Sequence, residues 1–282
     1  MKLCRFEIED RIRIGKVVGD RVVDLGDVAG VGSSMRTLIE DLPALRGALE
    51  AESGRDFPLA KVRLLAPIVD PQKFLAIGMN YTAHAAEAEA AGIPVPTSQA
   101  WFNKQVSCIT GPYDPIELPK ASDKIDYEGE LAFIIGQRCH DVSEAEAHSV
   151  IAGYLLCNDV SARDWQARSP TVTLGKSFDT HGPIGPWITT ADEVPDAEAL
   201  TLSLSVNGEE RQRADTSGLI YSIAAQIAYL STVMTLEPGD IIATGTPSGV
   251  GMASGRFLAD GDIVRLEIQG LGYIENRVSA EL

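Results

Sequence analysis

The segment DYEGELAFIIG, residues 126–136, sets two glutamates one residue apart in an otherwise apolar run. Leu131, Phe133 and Ile135 alternate after Tyr127 and the run stops at Gly136, which reads as a β-strand. Alternate side chains of a strand share a face, so Glu128 and Glu130 point one way while Tyr127, Leu131 and Phe133 point the other. Carboxylates held side by side repel unless positive charge sits between them. The chain must therefore build a sheet with one apolar face and settle the charge on the other. A solvated outer face would do so without help. A divalent cation would do so in a buried site, because hard cations take oxygen ligands.

A third acid follows in GYLLCNDVSARDWQ, where the apolar run Tyr154–Cys157 ends in Asn158 and Asp159. Taken alone, Asp159 reads as a turn residue or as the N-cap of the SARDWQ segment. Taken with Glu128 and Glu130, it is a candidate third ligand at the place where a buried strand opens onto a cleft. In NYTAHAAEAEAAG the alanines favour helix, and His84 and Glu87 are three apart, hence on one face. The pair is either a surface ion pair or a carboxylate-oriented imidazole able to activate water. Lys176, between Gly175 and Ser177, is either solvated or a cation reaching into the acidic site.

The formal net charge of −16 argues against a nucleic-acid partner and requires local cations wherever an anionic substrate binds. With 45% hydrophobic residues, a chain of 282 residues can bury a full core. No signal-peptide pattern or run approaching ~20 apolar residues appears, so no membrane association is expected. Cys4, Cys108, Cys139 and Cys157 lack paired spacing and read as reduced thiols of a cytoplasmic protein.

The chain reads as a small N-terminal module, residues 1–70, followed by a catalytic body, residues 71–282. Residues 2–24 alternate like short strands around a Gly19-Asp20 turn. Residues 34–51 have helical spacing broken by Pro43. Asn207-Gly208 marks a hairpin, and a helix is expected from Ser217 to Met234. His140 and His148 flank a capping box, Ser143 to Glu146, and read as surface residues; His181 is left outside the site. Neither G-x-G-x-x-G in a βαβ unit nor G-x-S-x-G occurs, which leaves dinucleotide binding and serine hydrolysis unsupported.

The segments IGMNYTAHAAE, DYEGELAFIIG, GYLLCNDVSARDWQ, LGKSFDTHGPIGPW and LEPGDIIATGTPSGVG together resemble the fumarylacetoacetate hydrolase (FAH) superfamily, in the family's order and almost continuously over residues 74–251. The resemblance implies a mainly β, α+β fold: a rolled mixed sheet forming the catalytic domain, with a small α/β N-terminal module. It implies one Mg²⁺ or Mn²⁺ per chain on Glu128, Glu130 and Asp159, and a substrate chelating it through a 2-oxo acid or 1,3-diketone. His84 and Glu87 would be the base, on a helix that commonly acts as a lid. Lys176 would stabilise the enolate, with Asp179 supporting it from behind. Thr246 would hold a substrate carboxylate, and Gln166 and Asn80 would supply further contacts. The implied reaction is hydrolytic C–C cleavage of an acylpyruvate or β-diketo acid through a metal-held enolate, in a homodimer. Decarboxylation of oxaloacetate, isomerisation or hydration of oxo-dienoates would use the same site, and a non-catalytic binding protein is the alternative of another class. At Met79, many acylpyruvate-cleaving members carry arginine, so the group beyond the oxo acid is expected to be less polar or held elsewhere.

Overall fold

The computed structural model describes residues 1–281. The alternation around Glu130 is realised as a strand, Gly129–Ile135, buried at every position. Its Leu131, Phe133 and Ile135 pack with Leu202, Leu204, Leu266 and Ile274 of a five-stranded sheet and with Ile227 and Leu230 of the helix Ile223–Val233. Its opposite face, Ala132 and Ile134, joins a cluster containing Met35, Leu38 and Ile39. Each large side chain so buried contributes about 1.5–3 kcal/mol. The strand therefore lies inside an α+β fold, and the solvated-face reading of the glutamates is excluded.

Pairing register then assembles the acids. Gly129–Ile135 runs antiparallel to Ile151–Asn158, with Glu130 opposite Cys157 and Gly129 opposite Asn158. Asp159 follows directly and donates its N–H to the Glu128 carbonyl at 2.8 Å. A slip of one residue would turn both glutamates into the apolar core. On the other side, Ala132 faces Ala243 of the antiparallel strand Ile241–Ala243, which leads into the loop at 244–250.

These strands belong to a 12-stranded mixed sheet. Its order runs from the N-terminal strands through Gly182–Thr190 to Ile151–Asn158, Gly129–Ile135, Ile241–Ala243, Phe74–Gly78 and Ala100–Lys104. The first strand, Lys2–Ile8, pairs with Gly182–Thr190 at Lys2–Thr189 and Leu3–Ile188, so the N-terminal strands extend the sheet that carries the acids. The alternation over residues 2–24 forms three strands, with the turn at Gly19-Asp20 between the second and third. Pro43 falls in the first turn of the helix Leu42–Ala51, where a missing N–H breaks no helical bond, and the helix Met35–Glu40 precedes it. At the hairpin joining Thr201–Val206 to Glu209–Asp215, both Asn207 (φ 54°) and Gly208 (φ 79°) are left-handed, as a tight hairpin turn requires.

One helix is shorter than its sequence suggests. Helix begins at Ile223, not Ser217, because the preceding backbone is engaged elsewhere. Tyr221 N–H donates to Asn80 Oδ1, Ile220 N–H to the Asn80 carbonyl, and Ile223 N–H to Glu198 Oε1. Ser222 caps the helix by accepting from Ala225 N–H at 3.1 Å. Among the described residues, no helix is long and apolar enough to cross a membrane.

Candidate active site

Glu128, Glu130 and Asp159 are all buried and present oxygens within 4.8 Å of one another. Lys176, carried by the short helical turn Thr173–Lys176, donates to Glu128 Oε2 at 2.6 Å and to Asp159 Oδ2 at 2.7 Å. Arg163 reaches Glu128 Oε1 at 2.6 Å through Nη1 and Asp126 Oδ2 at 2.8 Å through Nε. Lys104, at the end of the strand Ala100–Lys104, lies 2.7 Å from Asp159 Oδ1, and both side chains are fully buried. It also donates to the carbonyls of Val160 and Lys176.

The two glutamates receive different treatment. Burial pushes the Glu128 carboxyl up, but the charges of Lys176 and Arg163 outweigh it and hold the group well below the usual carboxylate range. For Glu130, burial, Asp159 and Glu128 all push the carboxyl well up, opposed by more distant Lys176 and by the Gly245 N–H that donates to Oε2 at 2.8 Å. Among the described residues, no cation contacts Glu130.

That imbalance tests the fit of a metal. Four buried acids (Asp126, Glu128, Glu130, Asp159) face three cations (Lys104, Lys176, Arg163), and the acid left without one is Glu130. Three converging carboxylates, one of them without a cation, suit a hard divalent cation such as Mg²⁺ or Mn²⁺, and Glu128, Glu130 and Asp159 could hold it.

A cavity of ≈ 400 Å³ opens over the cluster, lined by Glu128, Glu130, Lys176, Arg163, Gln166 and Thr246 and, across from them, by His84 and Glu87. The latter two sit on the helix Thr82–Ala90, with Nδ1 of His84 at 3.1 Å from Glu87 Oε2. Glu87 Oε1 accepts the Gly249 N–H at 3.2 Å, which ties this helix to the 244–250 loop. The imidazole is thus oriented by a carboxylate that is itself oriented, and it faces the cavity of the acidic cluster.

Most residues singled out in the sequence converge here, with two differences. Asn80 is fully buried, and its side chain joins Tyr221 and Thr244 backbone groups, so it braces the cavity from outside its lining. Asp179 is exposed; the acids that hold Lys176 are Glu128 and Asp159. Gln166 accepts from Arg163 at 3.0 Å, and Thr246 donates to the Gly129 carbonyl and accepts from Gln212. His140 and His148 are exposed, as the capping box implied. His181 is buried and bonds the Glu117 carbonyl away from the cluster, and the four cysteines are free thiols.

Sequence reasoning missed three contributors. Arg163, four residues beyond Asp159, was visible as the basic residue nearest an acid at a strand end. Lys104 and Gln212 carried no local signal: their partners lie 55 residues away at Asp159 and 83 residues away at Gly129.

Comparison with known proteins identifies the family. Residues 73–279 match the family described as fumarylacetoacetate (FAA) hydrolase, C-terminal, and residues 1–67 match the family described as Rv2993c-like, N-terminal. A protein of Burkholderia cenocepacia named provisionally as a hydrolase is 45% identical, over 87% of this chain and 90% of its own. Maleylpyruvate hydrolase from Sphingobium sp. SYK-6, crystallised with manganese(II) and pyruvate, is 38% identical with a TM-score of 0.87 over 100% of both chains. Fumarylacetoacetate hydrolase from Exiguobacterium antarcticum is 36% identical with a TM-score of 0.88, again over 100% of both. A 5-carboxymethyl-2-hydroxymuconate delta-isomerase from Mycobacterium smegmatis is 36% identical with a TM-score of 0.81 over 100% of both. The chain belongs to the fumarylacetoacetate hydrolase family.

Proposed function

We propose that this chain hydrolyses a C–C bond in an acylpyruvate or related β-diketo acid. The observation that carries the reading is the carboxylate-oriented imidazole, with His84 Nδ1 at 3.1 Å from Glu87, facing the acidic cluster across one cavity. A divalent cation bound by Glu128, Glu130 and Asp159 would supply Lewis-acid polarisation of the substrate's 2-oxo acid oxygens.

The chain's own groups then divide the work. His84 takes a proton from water, with Glu87 fixing the orientation of the ring. The hydroxide adds to the distal carbonyl carbon, and the bond on the pyruvyl side breaks. Its electron pair enters an enolate, and a carboxylic acid is released. Lys176 uses two of its three N–H donors on Glu128 and Asp159, which leaves one for the enolate oxygen. The proton held by His84 returns to the enolate carbon, giving pyruvate. Arg163 keeps Glu128 ionised throughout and positions Gln166 on the cavity wall.

The test is His84→Gln with Mn²⁺ present. Acylpyruvate hydrolysis should fall about 10²–10⁴-fold, as for loss of a general base, with Mn²⁺ binding unchanged. Hydrolysis unaffected by the substitution would overturn His84 as the base, and turnover of oxaloacetate alone would overturn the assignment in favour of decarboxylation, which needs no water attack. A second reading, isomerisation, is favoured by the likeness to the M. smegmatis isomerase. It is separated by products: hydrolysis releases two molecules from one, isomerisation does not.

A further inference from the structure

The cavity lining also has a part with a different chemistry. Besides the charged residues it includes Met79, Ala91, Ile93, Val250, Met252 and Ala253. Met79 follows the strand Phe74–Gly78, Ala91 and Ile93 follow the helix Thr82–Ala90, and the others belong to the short helix Gly251–Ser254 and the residue before it. None of these six side chains carries a charge or a hydrogen-bond donor. Met252 is 46% exposed, an apolar side chain at the rim where a solvated polar one would be ordinary.

The two fixed cations of the cavity lining are engaged with acids: Lys176 lies between Glu128 and Asp159, and Arg163 between Glu128 and Asp126. An anionic group in the apolar part would be desolvated there with no fixed cation of the lining free to meet it, which is costly. An alkyl or aryl group would gain from the same walls. At ≈ 400 Å³ the cavity falls in the range that takes ligands much larger than a pyruvyl unit.

We propose that this apolar part is the subsite for an uncharged acyl substituent, so that the substrate is a 2-oxo acid with an alkyl or aryl tail and not a dicarboxylate. The assignment rests on the reading above that a 2-oxo acid binds at the carboxylate cluster. It identifies Met79 and Met252 as residues that set specificity.

The experiment is calorimetric binding of 2-oxobutanoate, 2-oxohexanoate, 2-oxooctanoate and 2-oxoadipate to the Mn²⁺-loaded protein, so that no turnover is needed. Kd should fall about fourfold per added methylene. 2-Oxoadipate should bind on the order of 100-fold more weakly than 2-oxohexanoate. Met79→Arg should reverse that preference, and Met252→Arg, at an exposed position where folding is not at stake, should narrow it at least about tenfold. Affinity indifferent to tail length, or 2-oxoadipate equal to or tighter than 2-oxohexanoate, overturns the inference. The expected order of affinities with no acylpyruvate cleaved overturns the hydrolase reading and leaves the subsite standing. Absence of binding by all four ligands overturns both.

Discussion

Replacing Glu128 and Glu130 in turn by glutamine should change the stability of the metal-free protein in opposite directions. The two carboxylates share a strand face, but Glu128 contacts Lys176 and Arg163 at 2.6 Å each, whereas Glu130 receives only the Gly245 N–H at 2.8 Å. Glu128→Gln leaves two buried cations short of a partner. Breaking a buried pair from one side costs about 3–5 kcal/mol, and the retained amide oxygen keeps the loss near the lower figure. At about 2–4 °C per kcal/mol, melting should fall by about 6–12 °C. Glu130→Gln removes a carboxyl whose ionisation burial, Asp159 and Glu128 all oppose. The new amide still accepts from Gly245, and its NH₂ can donate to a neighbouring carboxylate, for a gain of about 1 kcal/mol and a rise of about 2–4 °C. Thermal melts in EDTA at pH 7.5 measure both. Added Mn²⁺ should raise wild type by about 2.7 kcal/mol at a hundred times Kd and raise either variant much less. A Glu130→Gln protein destabilised as much as Glu128→Gln would refute the reasoning, because the two acids would then be equally compensated.

Further outcomes follow from the same charges and from one buried histidine. Lys104→Met leaves Asp159 Oδ1 without its cation, so the metal-free protein should lose about 3–5 kcal/mol; Mn²⁺ should restore more stability to this variant than it adds to wild type, as read from melts with and without the ion. Burial holds the His181 ring down at about 4, below its usual 6.5, so the folded protein keeps it neutral while the unfolded chain protonates it. Its contribution is intact above pH 6.5 and is lost as pH falls towards 4, about 3 kcal/mol in all. His181→Gln should flatten that part of the stability profile in urea titrations, and a profile unchanged by the substitution would count against it.

The strand features that follow a period of two were legible without coordinates. The shared face of Glu128 and Glu130 needed only alternation, and the hairpin at Asn207-Gly208 needed only the left-handed tolerance of its two residues. Asp159 was legible as an acid at the end of an apolar run, although its alignment with Glu128 depends on the register between two strands. Lys104 was hidden because NKQ has the look of a surface turn, and only tertiary packing buries it. Asn80 misled in the opposite sense: a polar residue beside the candidate base suggested a ligand contact, but its side chain holds Tyr221 and Thr244 across 141 and 164 residues of sequence. That same contact draws residues 220–221 out of the helix that their spacing suggested.

The loop at 244–250 grips both halves of the chemistry. Gly245 N–H holds Glu130, Gly249 N–H holds Glu87, and the Gly249 carbonyl is pinned by the Tyr127 hydroxyl at 3.1 Å. Five residues therefore link the acid that most lacks a cation to the acid that aims the imidazole. A displacement of Glu130 by a bound cation would bear on Glu87 through this loop, and one of Glu87 by a substrate would bear on Glu130. Coupling of this kind would be reciprocal in free energy: a substrate that binds more tightly with the cation in place would tighten the cation by the same factor.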